Sequence, residues 1–305
     1  METGIDGDGR KSECDGMGLS DNMRGAVFMA VAMAGFVVND AMMKSLSGEV
    51  PLFQAIFVRG LFATALVAAF AWRLGAIRRG ALARADRGWA ALRVVAEIGT
   101  TTCFLQALFN MPIANATAIL QATPLAITLA AAIFLRERVG WRRWSAIGAG
   151  FLGVLMIVQP GGAGFDDAAI WAVAAVGFIV VRDLVTRRLS PATPSIFITM
   201  MTAVSITCLG AVVSLFFEWE PVAGGSVGVM AGAAVFLFCG YFFSVATMRV
   251  GELSFSAPFR YSILIWSLLL GWLVFDETPN ALALAGTALV VVAGLYTFYR
   301  EQRLD

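Results

Sequence analysis

Seven charged side chains stand inside stretches otherwise too apolar for water: Asp40, Arg59, Arg93, Glu97, Arg182, Asp183 and Arg260. A charge in hydrocarbon costs about 3 kcal/mol or more, so such residues face a cavity or an opposite charge and mark routes for ions and polar solutes. At about 1.5 Å of rise per helical residue, Glu97 lies near mid-depth, roughly 12 Å from one surface. Asp40 and Arg59 fall nearer one face of the membrane, and Arg182, Asp183 and Arg260 nearer the other. Glu97 can couple transport to protons, or Arg93, one turn earlier, can neutralise it along the helix face. Asp40 with Arg59, and Arg182 and Asp183 with Arg260, can form two gates that close alternately, or plain ion pairs between helices.

A second set of residues offers a binding surface. Asn115, Gln121 and Thr123 lie along one apolar run, and Arg260, Tyr261, Ser262 and Trp266 along another. Phe259, Tyr261 and Trp266 can stack on a flat ring, and Arg260 can bind a carboxylate or a polar ring edge. Packing and interfacial anchoring are the other roles open to these aromatic residues. Pro124 and Pro258 interrupt the same two runs and free backbone groups to line a cavity. The chain has no histidine and no GxxxxGK[ST] motif, which removes histidine-based catalysis, histidine metal ligation and a P-loop ATPase. Its four cysteines are scattered, so no cofactor, metal or enzymatic activity is expected. The expected partners are a small-molecule substrate and the lipid bilayer, with a homodimer as a further option and no nucleic acid.

The elements that must position these residues follow from composition. Hydrophobic residues make up 59% of the chain and charged residues 14%, far from soluble averages. Ten apolar runs, 24–45, 53–72, 89–109, 114–135, 143–159, 168–188, 195–217, 226–248, 254–275 and 280–299, are each long enough to span a bilayer as a helix. The acidic, glycine-rich stretch 1–23 reads as a disordered tail, and 301–305 as a short C-terminal one. If the amino terminus is cytoplasmic, 17 of the 22 basic residues fall in inner segments, one (Lys44) in an outer segment and four (Arg59, Arg93, Arg182 and Arg260) within helices. That bias predicts two cytoplasmic termini.

The chain also repeats itself. "VVNDAMMKSLSGEVP" (Val37–Pro51) and "VVRDLVTRRLSPATP" (Val180–Pro194) agree at six of fifteen positions, with Lys44 facing Arg187. "FLRERVGW" from Phe134 and "VFDETPNA" from Val274 repeat a second motif, matching Glu137 with Glu277. One copy of the first motif ends helix 1 and the other ends helix 6. Duplication of a five-helix unit, residues 24–161 and 162–300, therefore sets the two halves in opposite orientations. Inverted halves can exchange conformations and open a midplane site to either side. A plain helical bundle is the other outcome of such a duplication.

"ANATAILQATPLAITLAAAIFLRERVGWRRW" (Ala114–Trp144), "GFLGVLMIVQPG" (Gly150–Gly161) and "APFRYSILIWSLLLGWLVFDE" (Ala257–Glu277) resemble the paired EamA domains of the drug/metabolite transporter superfamily. The resemblance covers nearly everything after residue 24. It implies ten helices as two inverted repeats in a bacterial inner membrane, with a central cavity lined mainly by helices 1–4 and 6–9. Asn39-Asp40 with Lys44, and the run Ala257–Tyr261, resemble S-adenosylmethionine uptake carriers. "NMPIANATAILQATPL" and "VRDLVTRRLS" are similar to bacterial riboflavin importers. The expectation is a secondary carrier of a riboflavin-like molecule. An exporter of amino acids or drugs, and a non-transporting scaffold or sensor, are the alternatives.

Overall fold

The computed structural model describes residues 21–73, 75, 84–134, 140–161, 167–190, 195–216, 219–247, 250 and 253–301. The proposed tail up to residue 20, the repeat residue Glu137, loop arginines such as Arg78 and Arg136, and residues 302–305 lie outside them. Among the described residues every regular element is helical: α1 (Asp21–Lys44), α2 (Leu52–Arg73), α3 (Arg87–Asn110), α4 (Ile113–Leu120), α5 (Thr123–Phe134), α6 (Trp141–Val158), α7 (Ala168–Thr186), α8 (Ser195–Ser214), α9 (Gly224–Thr247), α10 (Leu253–Ser256), α11 (Ser262–Phe275) and α12 (Ala281–Glu301), with short 3₁₀ turns at Arg84–Asp86 and Ala257–Tyr261.

These elements make nine segments long and apolar enough to cross a membrane; α4 with α5 form one, and the Ala257–Tyr261 turn with α11 another. Helix α6 falls outside that set because its first turn carries Arg142 and Arg143. It nonetheless packs along α12, and Gln159 at its end bonds Asn280 at the start of α12 (2.9 Å). It is counted below with these nine, as the fifth element in chain order. Large exposed side chains at helix ends, including Trp72, Phe134, Trp141 and Phe216, suit a lipid-facing surface with aromatic rims.

Both proline-bearing runs are broken, as their sequence predicts. Gln121 and Ala122 separate α4 from α5 just before Pro124, and Pro258 lies in the 3₁₀ turn that precedes α11. Proline lacks the amide hydrogen that the α-helical ladder needs, so the chain tightens or steps at these points.

Packing follows a regular scheme. In crossing order, the first element packs on the eighth (α1 on α9) and the third on the sixth (α3 on α7). The second packs on the seventh (α2 on α8) and the fifth on the tenth (α6 on α12). Exchanging each element with the one five places on leaves this scheme unchanged. Small residues set the closest approaches. A methyl carbon added at Gly153 would stand 2.7 Å from the Gly286 carbonyl oxygen, and one at Gly210 would stand 2.7 Å from the Phe57 amide nitrogen. The bundle has two ends, called below the Lys44 end, where α1 stops, and the Arg87 end, where α3 starts.

Candidate transport site

Helix α3 carries Arg93 and Glu97 one turn apart, and α7 brings Arg182 and Asp183 against them. An Arg182 Nη1 donates to Glu97 Oε2 at 3.4 Å, and Arg182 Nε donates to Asp183 Oδ1 at 2.8 Å. Arg93 stands 3.9 Å from the same Glu97 oxygen. It also donates to the hydroxyls of Thr186 (3.0 Å) and Thr202 (2.7 Å), which ties α3 to α7 and α8. Two guanidinium groups and two carboxylates balance to zero charge, the condition on which such a cluster can persist inside a bilayer. Glu97 is 6% exposed, whereas the side chains of Arg182 and Asp183 keep 25% and 34% of their surface. One margin of the cluster is therefore open.

Nearer the Lys44 end, Asn39 stands between the residues expected to pair. Its amide nitrogen donates to Asp40 Oδ1 (2.8 Å), and its amide oxygen accepts from Arg59 Nη1 (3.3 Å). Asp40 and Arg59 thus communicate through a neutral bridge instead of a direct ion pair. Arg59 is 7% exposed, and its Nε has no hydrogen-bond partner. A buried guanidinium N–H left unpaired is a costly donor awaiting an acceptor.

Tyr241 of α9 lies near both groups. It meets Phe36 edge-on with ring centroids 5.3 Å apart, and lies within electrostatic reach of Glu97, Arg182, Arg93 and Arg59. Its surface is 44% exposed. Sequence reasoning passed over Tyr241 and named Asn39 only as part of a family motif. The available signals were a lone phenol in the aromatic run "FLFCGYFF" and an amide beside Asp40 at the site of Arg182 in the second motif.

The other predicted residues lie apart from these clusters. Asn115, in the first turn of α4, lines a cavity of about 220 Å³ at the Lys44 end with Met111, Pro112, Thr278 and Asn280; its Oδ1 is buried without a partner. Gln121 caps α4, its backbone N–H bonded to carbonyls of the preceding turn. Arg260 is exposed on the 3₁₀ turn, and among the described residues no ion pair joins it to Asp183. Tyr261 packs against the core and places its hydroxyl against Gly294 of α12. Trp266 is 36% exposed, between Ile265 and the buried Ser267.

A bundle of helices long and apolar enough to cross a membrane, with a charge-balanced cluster between them, defines a polytopic membrane protein with a polar interior. The EamA-like transporter family model matches residues 23–159. The chain is 30% identical over 284 residues to a riboflavin transporter of Rhizobium johnstonii, covering 92% of this chain and 93% of that one. It is 28% identical over 279 residues to a riboflavin transporter of Vibrio cholerae serotype O1, covering 89% and 91%. It is 26% identical over 287 residues to a pseudopaline exporter of Pseudomonas aeruginosa, covering 90% and 95%. The chain belongs to the EamA-like transporter family, and its relatives are transporters and not enzymes.

Proposed function

We propose that this protein is a secondary carrier that takes up a flat, polar-edged metabolite of the riboflavin kind by alternating access between two inverted five-helix halves. The observation that carries this reading is the buried cluster of Glu97 with Arg93 and Arg182, with Tyr241 near both it and Arg59, whose Nε is unpaired. A heteroaromatic ring stacks on Tyr241 and Phe36, a ring carbonyl accepts from Arg59, and a hydroxyl or amide on the substrate donates to Glu97. Asp40 with Arg59 and Arg182 with Asp183 flank this space and serve as its gates. Asn115, Gln121, Arg260, Tyr261 and Trp266, which lie apart from these clusters, are assigned as further substrate contacts elsewhere along the path. The packing scheme that survives exchange of elements five apart supports the two-half mechanism. The excess of arginine in the Arg87-end segments supports a cytoplasmic location for that end and both termini.

The names of the two riboflavin-transporting relatives favour flavin import; the pseudopaline exporter favours a second reading, export of an amino-acid-derived solute by the same site. Uptake of labelled riboflavin into proteoliposomes, with S-adenosylmethionine and mixed amino acids as competitors and with or without a pH gradient, separates them. Saturable uptake displaced by flavins supports import. Flux of amino-acid solutes alone supports the exporter, and no flux of any solute supports a scaffold.

A further inference from the structure

The Lys44 end is held by an ion pair that joins four crossing elements from both halves of the chain. Lys44 Nζ stands 2.9 Å from Glu277 Oε1, donates to the Leu108 carbonyl at 3.1 Å and donates also to the Met111 carbonyl. Two carbonyl hydrogen bonds and the ion pair surround the ammonium group, and Lys44 is 7% exposed. The Phe275 ring lies beneath it, its centroid 5.5 Å from Nζ. The other Glu277 oxygen accepts the Ile113 backbone N–H at 3.0 Å, at the first residue of α4. A helix C-terminus thus offers spare carbonyls to the cation, and a helix N-terminus offers a spare N–H to the anion.

We propose that Lys44 and Glu277 form the contact that closes this end of the transport path and that must part whenever the path opens there. The inference rests on alternating access as proposed above. Three observations lead to it. The pair bridges α1 and the segment after α11, with α3 and α4 gathered in the same contact, so separating either half from the other at this end must break it. Leu108 lies eleven residues beyond Glu97 on α3, about three turns and roughly 16 Å along the axis, which sets the lock above the transport site on the same helix face. And the contact is charged. Permanent cohesion is served as well or better by apolar residues of similar volume. An ion pair behaves differently: it holds while dry, and entering water hydrates both ions once the helices part. Ties between Gln54 and Glu220 (2.8 Å) and between Gln159 and Asn280 (2.9 Å) gather the same end.

The test needs no substrate. Thr101 lies four residues past Glu97 and seven before Leu108, on their shared face of α3. A Thr101→Cys reporter is placed in a chain whose four native cysteines are replaced, and its labelling by a membrane-impermeant maleimide is timed from the Lys44-end side of oriented vesicles. Glu277→Gln keeps an acceptor for Ile113 but removes the charge, and Lys44→Met removes the cation; each should raise the labelling rate by about tenfold or more. Lys44→Arg, which keeps the charge, should label near the parent rate. Unchanged labelling in both Glu277→Gln and Lys44→Met, or Lys44→Arg labelling as fast as Lys44→Met, would overturn the proposal. A chain that labels as expected yet moves no riboflavin would keep the lock and discard only the substrate.

Discussion

The first and second copies of the repeated motif occupy corresponding helix ends and share one local geometry. Asn39 donates to Asp40 Oδ1, and Arg182 to Asp183 Oδ1, both at 2.8 Å. Each also reaches a charge on a neighbouring crossing element, Asn39 meeting Arg59 and Arg182 meeting Glu97. The partners differ in sign, so the position that is neutral in one copy is cationic in the other. Their ends differ more. Lys44 is locked onto Glu277, whereas the matching Arg187 is exposed. A shared local motif is thus held in two unequal surroundings, buried and paired at Lys44 and exposed at Arg187.

Making the copies alike should break the protein most. Asn39→Arg would set a second guanidinium beside Arg59 with Asp40 as the near counter-charge, and we expect the yield of monodisperse protein to fall by about tenfold or more on size-exclusion chromatography. Glu97→Gln removes the carboxylate shared by Arg93 and Arg182, and should cut uptake by about a hundredfold in folded protein. Asp183→Asn, at the exposed margin of the same cluster, should cost less than Glu97→Gln in the same assay. In the first copy Arg59→Met removes the donor and its charge together, and a loss of about tenfold in uptake is expected, chiefly as a raised KM. Gly286→Val tests a helix pair outside both copies: the backbone contact with Gly153 leaves no room for it, so Tm should fall by about 4 °C or more while the KM stays unchanged.

Position along each helix was legible in the sequence and direction was not. The apolar runs marked the crossing elements, and counting residues along them placed Glu97 near the middle of its helix with Arg93 within reach one turn earlier. Which face each residue presents depends on helix rotation, which tertiary packing sets. Arg260 shows the effect: the 3₁₀ turn at Ala257–Tyr261 winds three residues per turn, which shifts the faces expected from a continuous α-helix. Lys44 and Glu277 were both visible, but each was read with its repeat mate. Their contact with each other spans 233 positions, from 44 to 277, and rests on helix ends meeting in space. Asn39, being neutral, was legible only as part of a motif, and Tyr241 was hidden by the aromatic residues around it.

The most direct test of alternating access is paired accessibility on addition of riboflavin. Single cysteines replace Thr101, between Glu97 and the Lys44 lock, or Thr186, beyond Arg182 toward the Arg87 end, in the chain without native cysteines. Labelling of each is timed from its own side of the membrane, with and without riboflavin. The two rates should move in opposite directions as the site changes the side it faces. Rates that move together, or do not respond while riboflavin is demonstrably bound, would contradict a carrier with one site and two alternating gates.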